Sequence, residues 1–229
     1  MTNRPSFQRA NAWVGPASFD AVFTIIGQGA TGSRITAQLA RMGVTRFVLY
    51  DADVVEPHNL PNQAFDTRHV GMNKVDAMAQ LLKEFNPDIQ VEAHNEFFDS
   101  NTEINDFGPV VLATDTMSSR REIMEVCNQN VMVDNVFETR LGFHHGELSI
   151  IDTANASAVN SWLATLRSDE EIPEGPCNQR TCTTLVDLIS AFTVHQLCEK
   201  YHAQAEDTQW KYDKRTLIQM NPKLSVITL

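Results

Sequence analysis

Gly27, Gly29 and Gly32 stand in a G-x-G-x-x-G spacing directly after the apolar run Phe23-Thr24-Ile25-Ile26. The chemistry this suits is anion binding. Gly27 permits a tight turn, Gly29 lets backbone amides approach a pyrophosphate, and Gly32 allows close packing of a following helix, whose N-terminus adds partial positive charge. A second apolar run, Arg46-Phe47-Val48-Leu49-Tyr50, ends in Asp51, nineteen residues after Gly32. A carboxylate there accepts hydrogen bonds from ribose hydroxyls, although it also suits the end of a strand as a plain cap. The unit is a nucleotide-binding β-α-β, and an NAD-dependent oxidoreductase would use it equally well.

Further along lie polar residues that bear on a phosphorylated ligand. Asp53, Glu56 and Asn59 fill the loop after Asp51, where they serve either a ligand or the turns of the loop itself. Lys74 falls in the first turn of a helix, where a cation opposes the macrodipole at a cost of roughly 0.3–1 kcal/mol, and a nearby anion would reverse the sign. The alternative is a solvated lysine on a tolerant helix face. Asp115 follows the apolar run Val110-Val111-Leu112-Ala113 and so sits at the carboxyl end of a strand, where open α/β sheets bind ligands. One such carboxylate suits magnesium, which keeps several waters and shares substrate phosphates; the alternative is an N-cap for the next helix.

The elements that must position these groups alternate. Apolar periodicity predicts strands over 21–26 and 46–50 around a helix over 30–42, then a polar loop over 51–70 and a helix over 72–86 that stops at Asn86-Pro87. Strands follow at 89–93, 109–113, 131–137 and 146–151, with a helix at 117–129. A long loop over 152–181 carries a short helix near 158–166, and a long helix near 183–201 precedes a hairpin near 209–228. The pattern predicts an α/β fold, a Rossmann-like, doubly wound, mostly parallel sheet with a C-terminal antiparallel extension, as one domain over 1–229 with residues 1–20 as an N-terminal arm. The composition, 42% hydrophobic and 21% charged in 229 residues, supports one full core. A net charge of −11 argues against nucleic acid or an anionic membrane as partner. No apolar run approaches a membrane span and Met1-Thr2-Asn3-Arg4-Pro5 is no signal peptide, so a cytoplasmic location is expected.

From Gly27-Gln28-Gly29-Ala30-Thr31-Gly32, through Asp51-Ala52-Asp53-Val54-Val55-Glu56-Pro57-His58-Asn59-Leu60-Pro61-Asn62-Gln63 and Gly71-Met72-Asn73-Lys74, to Thr114-Asp115-Thr116-Met117-Ser118-Ser119-Arg120, the chain resembles the ThiF/MoeB/ubiquitin-activating-enzyme superfamily. The resemblance implies ATP and magnesium as cofactors and ATP-dependent adenylation of the C-terminal glycine of a ubiquitin-like or sulfur-carrier protein ending in Gly-Gly. It places Gly27, Gly29, Ala30, Gly32, Asp51, Asp53, Asn59, Asn62, Gln63, Lys74 and Asp115 around the nucleotide, with Asp115 on the metal. Arg120 braces the site or touches ATP. A homodimer is implied, with Arg9, or failing that Arg4, reaching a neighbouring subunit's site.

Departures from the family pattern are informative. Asn62 stands where the family places a phosphate-binding arginine, and a neutral amide makes no charged fork. Arg68, six residues on, is the expected substitute. If nothing substitutes, the chain is an inactive nucleotide-binding scaffold of the same fold. The cysteines at 127, 177, 182 and 198 form no C-x-x-C pair, so neither a disulfide framework nor a four-thiolate zinc site is indicated. In the resembling enzymes a thiol before the late helix accepts the acyl group; Cys182, ahead of Cys177, takes that place, with Arg180 and the helix N-terminus favouring thiolate.

Overall fold

The computed structural model describes residues 4–9, 13–171, 183–221 and 223–229. Strand β1 (Phe23–Ile26) is buried on both faces, and its side chains divide between two apolar layers: Phe23 and Ile25 face one, and Ile26, with Val22 just before the strand, the other. That alternation, two residues per repeat, explains why a continuous apolar run reads as a central parallel strand covered on both sides. Helix α1 (Ala30–Met42) follows, ending at Gly43, whose N–H reaches the Leu39 and Ala40 carbonyls and whose φ of 109° turns the Val44 N–H back to the Leu39 carbonyl at 3.1 Å. Then come β2 (Arg46–Tyr50), α2 (Lys74–Phe85), β3 (Gln90–His94), β4 (Gly108–Leu112), α3 (Met117–Gln129), β5 (Val133–Leu141) and β6 (His145–Asp152). The chain closes with α4 (Ala156–Leu163), α5 (Thr183–Ala205), β7 (Arg215–Gln219) and β8 (Ser225–Thr228).

All eight strands lie in one sheet of order β3-β2-β1-β4-β5-β6-β7-β8. The first five positions pair in parallel and the last three are added antiparallel. The chain order reverses direction between β1 and β4, and loops at the carboxyl ends of these two strands diverge to opposite faces there, opening a crevice. Residues of α1, α2 and α5 pack into one core layer and those of α3 and α4 into the other. The predicted doubly wound sheet with an antiparallel extension is therefore present.

Some boundaries differ. The short helix in the 152–181 stretch begins at Ala156, because the Asn155 side chain accepts from the Ser157 and Ala158 amides and starts it early. Strand β5 runs on to Leu141, because pairing with β6 continues past its apolar core. The closing hairpin starts at Arg215; Trp210 and Tyr212 instead stack, with Trp210 in turn on Phe137. Among the described residues, no helix is long and apolar enough to cross a membrane.

Candidate functional site

The glycines divide their labour by geometry. Gly27 has a φ of 94°, and a Cβ there would lie 2.7 Å from the Ala113 carbonyl oxygen. A Cβ on Gly32 would come within 1.9 Å of the Gly27 carbonyl oxygen, so this glycine exists for helix-to-turn packing. Gly29 is different: a Cβ there would meet nothing within 4 Å, because it points into open space at the start of α1. That is the place a ligand's phosphates need.

The space is a pocket of about 500 Å³ between the carboxyl ends of β1, β2 and β4. Gly27, Gly29, Asp51, Asp53, Gln63, Lys74 and Asp115 all line it, from four different segments. Asp51 is held rigidly: one oxygen accepts from Gln28 N at 2.6 Å and the other from Asp53 N at 2.8 Å. Burial pushes its carboxyl above the usual carboxylate range, against the lowering pull of Lys74 and of those two N–H groups. Lys74 is the first residue of α2 and is buried; its Nζ lies 2.6 Å from Asp53 Oδ2 and 3.7 Å from Asp51 Oδ1. The anions that offset its unfavourable place in the helix dipole are therefore two of the predicted nucleotide-binding carboxylates. The Gln63 side-chain oxygen is buried with no hydrogen-bond partner, an acceptor left for a ligand donor.

Asp115 is exposed on the pocket wall and does not cap α3. Thr116 does, its hydroxyl accepting from Ser119 N at 3.2 Å, while Asp169 accepts from Met117 N at 2.6 Å and Ser118 N at 3.1 Å. Those two residues leave the Asp115 carboxylate to the pocket. Arg120 braces this loop from beneath. It is buried, donates to the Thr114 carbonyl and, at 2.9 Å, to the Thr139 carbonyl, and pairs with the wholly buried Glu138. Glu138 also accepts from Arg140 Nε at 2.8 Å and from Trp162 Nε1 at 3.0 Å. Burial pulls the Arg120 pKa down and the Glu138 charge opposes it.

Several predicted residues are not brought to the pocket. Ala30 and Gly32 belong to α1 rather than to the lining, Ala30 as its first residue. Asn59 serves its own turn, its Oδ1 accepting from Glu56 N at 2.8 Å. Asn62 accepts from Thr183 Oγ1 at 2.8 Å and so ties the loop to the first turn of α5. Arg68 corrects an expectation: its guanidinium is exposed and pairs with Asp66 at 2.8 Å and Glu84 at 3.3 Å, because the one-turn helix Thr67–His69 aims it at α2 and away from the lining. Arg9 is exposed on the arm, and Arg4 pairs with Asp88 at 3.0 Å. Cys177, Cys182 and Arg180 lie outside the described residues. Cys127 and Cys198 are buried in opposite core layers, and burial pushes both thiols up to about 12, so neither is a nucleophile. Among the described residues no group of three or more potential metal ligands clusters.

Sequence reasoning missed Glu96, Phe97, Asp99 and Glu122 in the lining. Phe97 is 77% exposed at the mouth, an aromatic face without cover. The loop after β3 carries no motif; only its place at the carboxyl end of a strand marked it.

The sheet order and the cradle at its reversal point define a Rossmann-like α/β protein with its ligand crevice at the switch point. Within that class the chain belongs to the ThiF family, whose model matches residues 19–225. It is 32% identical over 188 residues to ubiquitin-like modifier-activating enzyme 5 of Drosophila virilis, covering 72% of this chain and 46% of the relative. The enzyme of the same name from Arabidopsis thaliana is 30% identical over 185 residues, covering 70% and 43%. The chain thus spans about half the length of these relatives. The crystal structure of PaaA superposes with a TM-score of 0.71 at 16% identity over 100% of this chain and 76% of that one. Escherichia coli MccB with ATP gives 0.69 at 14%, over 93% and 65%. At such identities the likeness is one of fold.

Proposed function

We propose that the pocket binds ATP with magnesium and that the protein adenylates the C-terminal glycine of a ubiquitin-like or sulfur-carrier protein. The observation that carries this reading is the convergence of Asp51, Asp53, Lys74 and Asp115 on one pocket beside the open face of Gly29. Family membership, relatives named as ubiquitin-like modifier-activating enzymes, and a fold shared with a protein solved with ATP support it.

The chemistry asks little of acids and bases. The carrier's terminal carboxylate attacks the α-phosphorus, the bond to the bridging oxygen breaks, and pyrophosphate departs, leaving acyl-adenylate. Asp51 holds the ribose, the Gly29 face and the α1 N-terminus admit the phosphates, and Asp115, with waters, is the residue that would hold magnesium. That ion would neutralise charge developing on the phosphate oxygens. Lys74 sets Asp51 and Asp53 and lends charge to the same pocket wall. A homodimer places the exposed Arg9 within reach of a second subunit's site, and a carrier tail enters along the carboxyl edge of the sheet. Cys182, just before α5, is then the acceptor if a thioester follows.

The test is ATP–pyrophosphate exchange with a carrier ending in Gly-Gly, in wild type and Asp115→Ala. Magnesium-dependent exchange lost in the variant, with its fold intact, supports the reading. Exchange unaffected in Asp115→Ala removes Asp115 from the site. ATP binding without exchange makes the chain an inactive scaffold, and binding of NAD in preference to ATP makes it a dinucleotide protein.

A further inference from the structure

The pocket is poorly provided with positive charge for a polyphosphate. Asp51, Asp53, Glu96, Asp99, Asp115 and Glu122 line it, and among the described residues Lys74 is the one lysine or arginine in the lining. Lys74 is already engaged by Asp53 and Asp51. Nearby arginines are engaged too: Arg120 is buried on Glu138 and the Thr114 carbonyl, Arg140 on Glu138 and Thr165, and Arg68 on Asp66 and Glu84.

Arg34 is placed otherwise. It lies five residues after Gly29 on α1, and helix side chains lean toward the N-terminus, so its arm runs back over the turn that begins beside the cradle. Its Nε donates to the Asn62 carbonyl at 3.2 Å, one residue before Gln63, which lines the pocket. The guanidinium, whose Nη2 also reaches the Pro61 carbonyl at 3.5 Å, thus lies between α1 and the loop that carries Asn62, one residue from the pocket lining but not itself part of it. Its ionic partner, Asp187 at 2.9 Å, is 50% exposed, and so open a pair is readily exchanged for a better anion. A planar guanidinium fork is the group that matches phosphate oxygens.

We propose that Arg34 binds the phosphates of the nucleotide, supplying from α1 the cation that position 62 lacks. The assignment rests on the ATP reading above. It makes Asn62 a residue that anchors α5 through Thr183, and leaves phosphate recognition to an arginine distant in the chain.

Calorimetric titration of the full chain with ATP, AMP and adenosine tests it, in wild type, Arg34→Ala, Arg34→Lys and Asp187→Asn. Arg34→Ala is expected to weaken ATP binding by about tenfold or more, as befits a lost charged hydrogen bond, while adenosine binding stays within about twofold. Arg34→Lys recovers part of the loss, and Asp187→Asn, which frees the guanidinium, binds ATP at least as tightly as wild type. If Arg34 merely pins α1 to α5, Asp187→Asn mimics Arg34→Ala, or adenosine and ATP weaken together, and the assignment is overturned. Unchanged ATP affinity in Arg34→Ala overturns it alone; no ATP binding by the wild type overturns it together with the adenylation reading.

Discussion

Glu138→Gln removes one charge from the buried bracket beneath the Asp115 loop and changes almost no volume. Three donors converge on the wild-type carboxylate: Arg120 Nη1, Arg140 Nε and Trp162 Nε1. The glutamine amide keeps one oxygen. If that oxygen faces the arginines, its NH2 meets the Trp162 N–H and leaves a buried donor unsatisfied, at about 1–3 kcal/mol. If it faces the tryptophan, two guanidinium groups meet an NH2. In either case the Arg120 charge, on a side chain 5% exposed, loses its counterion, and breaking a buried pair costs about 3–5 kcal/mol. Arg140, 14% exposed, relieves part of this by turning toward water, so we expect a net loss of about 3 kcal/mol. For a chain of this size that lowers Tm by roughly 6–12 °C in calorimetry or thermal circular dichroism. Because Arg120 also holds the Thr114 carbonyl, nucleotide affinity should fall in the same variant at temperatures where it remains folded. The double variant Arg120→Met/Glu138→Met should recover much of the stability and none of the affinity. A Tm within about 2 °C of wild type in Glu138→Gln would show that the bracket carries no such energy.

The two cradle glycines should separate stability from binding. Gly32→Ala drives a methyl into the Gly27 carbonyl and should destabilise by about 1–3 kcal/mol, whereas Gly29→Ala should leave Tm nearly unchanged while weakening nucleotide binding; equal effects at both positions would refute the division. Asp51 titrates above the usual carboxylate range because it is buried, so its folded form holds a proton more tightly than its unfolded form. This group's contribution to stability is thus fully present below the ordinary carboxylate pKa and declines as pH rises through the raised value. Nucleotide affinity runs the other way, falling as pH drops through that raised value, and Asp51→Asn should abolish this dependence on pH in a fluorescence titration. For the thiol, incubation with ATP, magnesium and carrier should give a dithiothreitol-sensitive adduct that is lost in Cys182→Ser and kept in Cys127→Ser and Cys198→Ser. An adduct persisting in Cys182→Ser moves the assignment to Cys177.

What could be read from the sequence alone was local. A strand, a glycine turn, a helix and a second strand ending in Asp51 follow one another within a few turns of chain, and steric rules and periodicity specify them with little help from elsewhere. The ends of strands, and hence Asp51 and Asp115, were legible for the same reason, and the mostly parallel, doubly wound character of the sheet followed from alternation, whereas the order of its strands came from the structure. What tertiary structure decided was which side chains meet across elements. Chain proximity made Arg68 the substitute for the arginine absent at position 62, yet a one-turn helix turns it onto Asp66 and Glu84, while Arg34, 28 residues before Asn62, arrives beside it. Glu138 sits mid-strand among apolar residues, and only the packing of α3 and α4 supplies the arginine and tryptophan that make a buried carboxylate tolerable. Asp169 and Phe97 lie in segments without motif or period. Periodicity determines which face a residue takes within its own element; the partner on the opposing face is chosen by the packing of distant segments, which no local spacing encodes.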